Sequence, residues 1–194
     1  MSLVPSIPVD RELDAATVRR AQAGSAADQQ ALVQRYEKPV FALIGRMLIP
    51  RGRSTQVKDV AQDTFLRVLR SLPRFKTPGP ARLSTWILTI ATRAVFDELR
   101  RPRAVEEPLE RAAGVADRNA ERFADQVGLR GALVLALGAL EPDRQAVVLL
   151  RDVHELEYEE IAEALQINVG TVKSRLNRAR GALRAALSEK GFQP

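Results

Sequence analysis

Apolar side chains recur every three or four positions along most of this chain. That spacing places them on one face of an α-helix, whereas no stretch shows the strict alternation that a strand requires. Proline and glycine residues, which break helices, follow the ends of the long apolar stripes. The pattern predicts an all-α fold with helices over about 32–48, 57–72 and 84–101, ended by Pro50 with Gly52, by Pro73 and by Pro102.

The periodic pattern is missing from two segments, and these divide the chain. Residues 1–11 contain prolines and no periodicity, and residues 102–128 contain prolines and glycines in a mixed sequence with a net charge of 4 − 6 = −2. Such a composition weakens packing and favours a linker. We therefore predict two small helical domains joined by a flexible linker. The expected boundaries are a flexible tail over 1–11, a first domain over 12–101, the linker over 102–128 and a second domain over 129–194.

The most specific local pattern lies in residues 157–187. Its apolar spacing predicts a short helix over 158–165, a tight turn over 166–168 and a second helix whose buried stripe begins at Val172. Asn168 is placed to cap the second helix, because its side chain can accept a hydrogen bond from free backbone amides. This is the layout of a helix-turn-helix, whose second helix enters the major groove of DNA.

Gln166 stands in that turn at a position where many helix-turn-helix motifs have glycine. Glycine reaches a positive backbone φ without steric cost, whereas glutamine with the same angle would cost of order 1 kcal/mol. We therefore expect strain at Gln166 if the turn keeps its usual geometry.

Charge separates the two helices of this motif. Residues 155–163 carry five glutamates and no base, and residues 170–184 carry five cations and no acid. Five cations on one helix repel one another unless an anion faces them, and DNA phosphates supply that anion. Arginine and lysine can also bond guanine edges, and asparagine can bond adenine. The alternative interpretation is a solvated helical hairpin whose opposite charges attract each other.

Composition narrows the functional classes. The net charge is +6, and residues 28–101 alone carry 14 Lys or Arg against 6 Asp or Glu, a balance of 14 − 6 = +8. Such a balance points to a polyanion such as nucleic acid, or to an anionic membrane surface. With no cysteine and one histidine, the chain has almost no ligands for zinc and no disulfides. We expect neither a metal nor a cofactor.

Hydropathy indicates where the protein is found. No apolar run is long enough to span a membrane, so we expect no stable membrane insertion. The first ten residues lack the basic end and apolar core of a secretory signal. These features predict a cytoplasmic protein.

Five segments resemble, in family order, the extracytoplasmic-function sigma factors of bacterial RNA polymerase. The sequence EEIAEAL followed by GTVKSRLNRAR, within residues 159–180, resembles region 4.2, and residues 140–162 resemble region 4.1. The N-terminal half is more specific. VKDVAQDTFLRVLRSLPRF at 57–75 resembles region 2.2, STWILTIATRAVFDELRR at 84–101 resembles regions 2.3 and 2.4, and residues 15–43 are similar to region 2.1.

The resemblance implies a non-enzymatic subunit that directs core RNA polymerase to the promoters of a stress or envelope-type regulon. It implies contacts with the clamp helices of the largest core subunit, with the flap of the second subunit, with promoter DNA and with an anti-sigma factor. The core-binding residues would lie on the polar edge of the helix at 57–72: Asp59, Gln62, Asp63, Phe65 and Arg67.

The resemblance also implies two DNA-binding sets. The minus-ten element would be held by Arg74, Lys76, Arg82, Trp86, Thr92, Arg93 and Arg100. The minus-thirty-five element would be held by Thr171, Lys173, Ser174, Arg175, Asn177, Arg178 and Arg180. Trp86 could stack on a base, but its place in an apolar stripe favours packing in the core.

Other functions fit parts of the pattern. A two-domain helix-turn-helix regulator that acts without sigma activity would bind DNA but would not need a polymerase-binding edge at 57–72. An enzyme would need a site, and Asp59 with Asp63 could hold a metal, yet no histidine or further carboxylate accompanies them in a loop. A pure interaction protein does not account for five cations on a recognition helix.

Overall fold

The computed structural model describes residues 12–76, 79, 81–102 and 128–192. These residues form no strand, and the all-α prediction is confirmed. The predicted tail and all but the two ends of the predicted linker lie outside the described residues. The described helices are α1 (Ala15–Gln22), α2 (Ala26–Leu48), α3 (Val57–Ser71), α4 (Leu83–Arg100), α5 (Leu129–Ala139), α6 (Pro142–Val148), α7 (Tyr158–Leu165) and α8 (Val169–Glu189).

The first domain contains α1 to α4. Asp14 caps α1 by accepting hydrogen bonds from the amides of Ala16 and Thr17, at 3.0 and 2.9 Å. The helices α2, α3 and α4 pack against one another. Their shared core is apolar and fully or almost fully buried: Leu43, Ile44, Met47, Val68, Leu72, Ile87 and Val95. The predicted C-terminal ends of these three helices are confirmed to within one residue, whereas α2 begins earlier than its apolar stripe, at Ala26.

The second domain contains α5 to α8, with a π-helical turn at Leu149–Val153 after α6. α8 packs against α5, α6 and α7, and buries Val172 and Leu176. Asn168 caps α8, because its Oδ1 accepts a hydrogen bond from the Thr171 amide at 2.7 Å. The predicted helix-turn-helix is therefore confirmed in its helices, its turn and its cap.

Gln166 has the positive φ that the turn demands. Its φ is 54° and its ψ is 46°, in the left-handed region that glycine adopts most easily. The following amide, of Ile167, donates to the carbonyl oxygen of Ala162 at 3.0 Å and closes the end of α7. The strain expected from the sequence is thus present at this residue.

Replacing Gln166 with glycine is expected to stabilise the protein. Glycine removes a strain of about 1 kcal/mol, partly offset by the greater freedom of glycine in the unfolded chain, so the free energy of unfolding should rise by roughly 0.5 kcal/mol. Urea unfolding measures the change. As a control, Glu163→Gly inside α7 should lower the free energy of unfolding by about 1 kcal/mol. A Gln166→Gly protein as unstable as this control would contradict the assignment of strain.

The two domains pack against each other. α2 lies against α5 and α6, and α4 lies against α7. Buried apolar side chains of both domains form one continuous cluster. The sequence predicted two domains and a linker but gave no indication of this packing, because apolar periodicity is local and does not identify the partner of a helix face.

His154 lies at the end of the π-helical turn and is only 8% exposed. Neither of its ring nitrogens has a hydrogen-bond partner among the described residues. Burial, reinforced by the positive charge of Arg46 on α2, lowers the pKa of His154 to about 4. The imidazole is therefore neutral in the folded protein at neutral pH.

Acidification is expected to destabilise the fold as the pH falls from 6.5 toward 4. Below its ordinary pKa of 6.5 the histidine of the unfolded chain takes up a proton that the folded chain excludes. The contribution of neutral His154 to the free energy of unfolding is therefore complete above pH 6.5. This contribution declines by roughly 3 kcal/mol as the pH falls toward the pKa of the folded protein. Urea unfolding at both ends of this range tests this, and His154→Leu should remove most of the decline. An unchanged pH dependence in that variant would contradict the assignment.

Candidate nucleic-acid and polymerase interfaces

The exposed surface of α8 carries polar and cationic side chains. Lys173, Ser174, Asn177 and Arg178 are all exposed, and the Lys173 ammonium lies 5.8 Å from the centre of the Tyr158 ring. Thr171 is half-buried at the start of the helix, where its hydroxyl donates to Asn168 Oδ1 at 3.0 Å. The predicted base-reading residues therefore share the first turns of one helix, as a helix in the major groove requires.

Two arginines of α8 are paired within their own domain. Arg175, 27% exposed, contacts Asp143 of α6 at 2.8 Å. Arg180 contacts Asp152 of the π-helical turn, with Nε donating at 3.2 Å, and this carboxylate raises the pKa of the guanidinium. The hairpin alternative predicted that α7 glutamates would pair with α8 cations. Within the described residues the ion-pair partners of α8 come instead from α6 and the π-helical turn.

A second group of cations surrounds the ends of α4. Arg74 and Lys76 lie in the loop before α4, Arg82 is its N-terminal flanking residue, and Arg100 is its last residue; all four are exposed. Among the residues that the structure describes, Arg100 alone of these four makes an ion pair, with Asp97 at 3.5 Å, and its side chain remains 79% exposed. These side chains are free to meet the phosphates of a DNA strand.

Trp86 and Thr92 are the least exposed of the predicted minus-ten residues. Trp86 is half-buried, and its ring lies 4.9 Å from that of Phe75 at an angle of 35°. Thr92 is completely buried, and its hydroxyl donates to the carbonyl oxygen of Leu88 at 2.8 Å. The prediction that Thr92 contacts DNA is therefore corrected. In this structure its hydroxyl is bonded within α4, and its side chain is not exposed to a partner.

Arg93 lies on the outer side of α4 and contacts the second domain. Its Nε donates to the carbonyl oxygen of Ala164 at 3.1 Å, and its Nη2 donates to that of Glu163 at 3.2 Å. Both acceptors belong to the last turn of α7. A residue that the resemblance assigns to promoter DNA is therefore bonded to the first helix of the helix-turn-helix.

The exposed edge of α3 combines charge with one apolar side chain. Asp59 and Gln62 are exposed, and Asp63 is half-exposed and contacts Arg67 at 2.8 Å. Arg67 also contacts Asp97 of α4 at 2.9 Å, and these two carboxylates, Asp97 above all, raise its pKa. Among the predicted docking residues, Asp63 and Arg67 are thus joined by an ion pair, and Asp59 and Gln62 are exposed on the same helix.

Leu66, and not Phe65, is the large apolar side chain that α3 exposes. Phe65, predicted to bind polymerase, is 8% exposed and belongs to the core. Leu66, which was not selected, is 52% exposed and lies three residues from Asp63 and four from Gln62, on the same edge. The exposure of Leu66 could have been predicted from the sequence, because Leu66 lies outside the apolar stripe that includes Phe65 and Val68. A large apolar residue outside the stripe faces away from the core.

A buried ion pair fixes the end of α4 beside this edge. Arg53 contacts the Glu98 carboxylate at 2.9 Å and also donates to the carbonyl oxygens of Glu98 and Arg101, at 2.6 and 2.9 Å. These bonds satisfy acceptors that the end of a helix leaves free. The α3 edge and the cations at the end of α4 are therefore held in a fixed relation.

Two protein-family models match the chain in order. The Sigma-70 region 2 model matches residues 32–105, and the Sigma-70, region 4 model matches residues 130–183. In the part of the chain that the structure describes, no helix is long and apolar enough to cross a membrane.

Relatives of known family are similar over most of the chain. The ECF RNA polymerase sigma-E factor of Escherichia coli strain K12 is 32% identical over 181 residues, which cover 88% of this chain and 92% of that protein. The ECF RNA polymerase sigma factor SigE of Mycolicibacterium smegmatis is 32% identical over 163 residues, which cover 81% of this chain. The chain spans only 61% of the length of that second relative.

Solved structures share the fold. The structure of CnrH in complex with the cytosolic domain of CnrY has a TM-score of 0.63 at 25% identity, covering 90% of this chain and 96% of that one. The sigma factor RpoE from Bartonella quintana, solved with the anti-sigma factor NepR, has a TM-score of 0.57 at 20% identity and covers 82% of this chain and 98% of that one. Together with the relative of matching length and the two family models, these likenesses show that the chain belongs to the extracytoplasmic-function sigma factors of bacterial RNA polymerase.

Proposed function

We propose that this sigma factor binds core RNA polymerase through the exposed edge of α3 and reads a promoter with two separate surfaces. The observation that carries the proposal is the presence, in one chain, of exposed cations on α8 and of a charged edge with a half-exposed leucine on α3. A regulator that only binds DNA needs the first surface and has no use for the second.

The surface on α8 contacts the minus-thirty-five element. Lys173, Asn177 and Arg178 are exposed near the start of the helix, where side chains reach base edges in the major groove. Thr171 and Ser174 add hydroxyl groups for phosphate or base contacts. Arg175 and Arg180 contribute positive charge from positions fixed by Asp143 and Asp152.

The surface around α4 contacts the minus-ten element. Arg74, Lys76, Arg82 and Arg100 attract the phosphates of the strand, and Arg93 lies between the two ends of the helix. Extruding a base from the duplex costs a few kcal/mol, which contacts in a pocket must offset. Trp86, stacked on Phe75, leaves only part of its ring for a base. We therefore infer that melting depends on a close promoter match at both elements.

The edge of α3 docks on the clamp helices of the largest core subunit. Asp59, Gln62 and Asp63 offer acceptors for arginine donors in charge-assisted hydrogen bonds, and Leu66 supplies apolar area at the centre of the edge. The second domain meets the flap of the second core subunit. Both contacts take place in the cytoplasm.

An anti-sigma factor is the expected regulatory partner. The support is the structural similarity to the RpoE sigma factor solved with the anti-sigma factor NepR. A regulon of stress or envelope type follows from the family, and its promoters are proposed to carry both elements.

Co-elution with core RNA polymerase distinguishes the two candidate functions. The purified chain, mixed with core enzyme and passed over a gel-filtration column, is expected to elute with the enzyme and to be required for its retention on promoter DNA. A chain that retards DNA by itself but never elutes with core enzyme would favour the regulator without sigma activity.

A further inference from the structure

The start of α4 is capped from outside the helix. The first amides of a helix have no partner within it. Arg82 occupies the N-cap position but makes no capping bond, because a guanidinium has no acceptor atom. The Ser84 amide instead donates to the Glu12 carboxylate, at 3.2 Å to Oε1 and 3.4 Å to Oε2. The cap of α4 therefore comes from a residue 72 positions earlier in the chain.

Tyr36 of α2 holds this carboxylate in place. Its hydroxyl donates to Glu12 Oε2 at 2.8 Å and accepts from the Leu13 amide at 3.4 Å. Tyr36 is 1% exposed, so its ring is fixed by the core of the first domain. Burial and the neighbouring Glu12 carboxylate raise the pKa of Tyr36, so the phenol remains a donor at neutral pH. Glu12 is thus bonded on one side to α2 and on the other to α4.

A second side chain from the same part of the chain binds the end of α3. Gln22 is the last residue of α1, and its Nε2 donates to the carbonyl oxygens of Leu72 at 3.0 Å and Phe75 at 2.5 Å. Leu72 is the C-cap of α3, where carbonyl oxygens have no partner within the helix. Gln22 therefore ties the point at which the chain leaves α3 to α1.

These two fixed points flank side chains that are assigned to the minus-ten element. Arg74 lies between the two carbonyl groups that Gln22 binds. Trp86 lies two residues after the capped amide, and its ring is 4.9 Å from that of Phe75. The contact between the two rings thus joins the end that Gln22 holds to the end that Glu12 holds.

We propose that Glu12 and Gln22 are positioning residues for promoter melting, which hold Arg74 and Trp86 in one arrangement before DNA binds. This proposal rests on the proposed contact of these side chains with the minus-ten element. Exposed cations alone attract any DNA strand, whereas selection of one sequence requires side chains with a fixed geometry. Preorganisation reduces the entropy that binding costs, and the apparent affinity falls with the fraction of molecules that lack the arrangement.

Two substitutions remove these tethers without changing a proposed DNA or polymerase contact. Gln22→Met keeps the length of the side chain and removes its donors, and Glu12→Ala removes the cap of α4. Glu12→Gln is the conservative variant, because it keeps one oxygen for the Ser84 amide. Gln29→Met is the matched control for Gln22→Met, because Gln29 also donates to a backbone carbonyl oxygen, that of Ala21 at 3.1 Å, but this bond stays between α1 and α2.

Trp86 is the only tryptophan of the chain, so its fluorescence reports the arrangement directly. In the free protein, acrylamide should quench this fluorescence more strongly in the two tether variants, Gln22→Met and Glu12→Ala, than in the parent. Gln29→Met and Glu12→Gln should match the parent. Circular dichroism shows whether each variant keeps its helices, which separates a local change from unfolding. Equal quenching in the parent and both tether variants would overturn the positioning roles and would leave the proposed function standing.

Transcription with core polymerase measures the consequence for the promoter. Each protein is compared on a promoter and on versions with one base pair changed in either element, so the activity ratios do not depend on the amount of folded protein. The minus-ten ratio should fall about fivefold in each tether variant, as expected if roughly a fifth of the molecules keep the arrangement. The minus-thirty-five ratio should stay at the parent value.

A parent-like minus-ten ratio in both tether variants, or an equal fall in both ratios, would overturn the positioning roles. A parent that transcribes all versions of the promoter equally, or none of them, would instead overturn the proposed function itself.

Discussion

Replacing Leu66 with aspartate is expected to weaken binding to core RNA polymerase by about a hundredfold, or about 2.7 kcal/mol. Leu66 is 52% exposed at the centre of the α3 edge, with Gln62 and Asp63 beside it. In the proposed complex its side chain becomes buried, and a fully desolvated apolar residue at the centre of an interface contributes more than the charged rim around it. A carboxylate at the same place is buried without a partner, which adds a desolvation cost.

The matched control is Ile49→Asp. Ile49 is 49% exposed and also belongs to the first domain, but it lies in the turn after α2 and outside the α3 edge. Fluorescence anisotropy of the labelled protein with core enzyme measures both dissociation constants, and circular dichroism shows whether each variant folds. If the two variants lose affinity equally, or if Leu66→Asp binds as tightly as the parent, the docking surface is assigned to the wrong face.

Replacing Arg178 with alanine is expected to remove most of the dependence of transcription on the minus-thirty-five element. Arg178 is exposed on α8 and makes no ion pair within the described part of the chain, so its guanidinium is available for two hydrogen bonds to a guanine. Such a pair discriminates against the wrong base by about 1–3 kcal/mol, or roughly fivefold to 150-fold. Arg175→Ala should have a smaller effect on base selection, because Arg175 is partly buried and paired with Asp143.

Arg184→Ala is the control for this prediction. It removes the same charge from the same helix at an exposed position farther from the helix start. The expected result is a general loss of affinity that is equal for promoters with and without the upstream element, as for a phosphate contact. Transcription from matched promoter pairs measures both effects. Equal selectivity in the Arg178→Ala variant and the parent would show that this arginine does not read a base.

Local features of the fold could be predicted from the sequence because short-range rules determine them. Asn168 caps α8 as expected, since a cap depends only on the residue and the amides that follow it. Gln166 adopts the positive φ expected at this position of the turn, which is a local property of the backbone at the end of α7. The ends of α3 and α4 were predictable for a similar reason, because Pro73 and Pro102 coincide with the ends of the apolar stripes. Pro39, which lies within a stripe, does not interrupt α2.

Contacts between distant residues could not be predicted in this way. Gln145 and Arg46 are 99 positions apart, and nothing in either segment marks them as partners. The pairing of Arg175 with Asp143 and of Arg180 with Asp152 was missed for the same reason. The neighbouring acidic helix was the only anionic partner within the chain that the sequence suggested for α8, whereas the folded domain brings Asp143 and Asp152 to this helix.

Burial separated the predicted site residues into those that can meet a partner and those that cannot do so in this structure. Thr92 and Phe65 were selected because they lie in matching motifs, but a motif contains core positions as well as surface positions. Leu66 was not selected as a docking residue, although it is 52% exposed. The helical phase relative to Phe65 and Val68 would have placed it on the surface.

Run-off transcription with core RNA polymerase and a library of promoter fragments tests whether this chain directs initiation at promoters that carry both elements. The proposed function predicts discrete start sites that require the added chain and that are lost when either promoter element is scrambled. Core enzyme that initiates at the same sites with and without the chain, or that initiates nowhere in its presence, would contradict it.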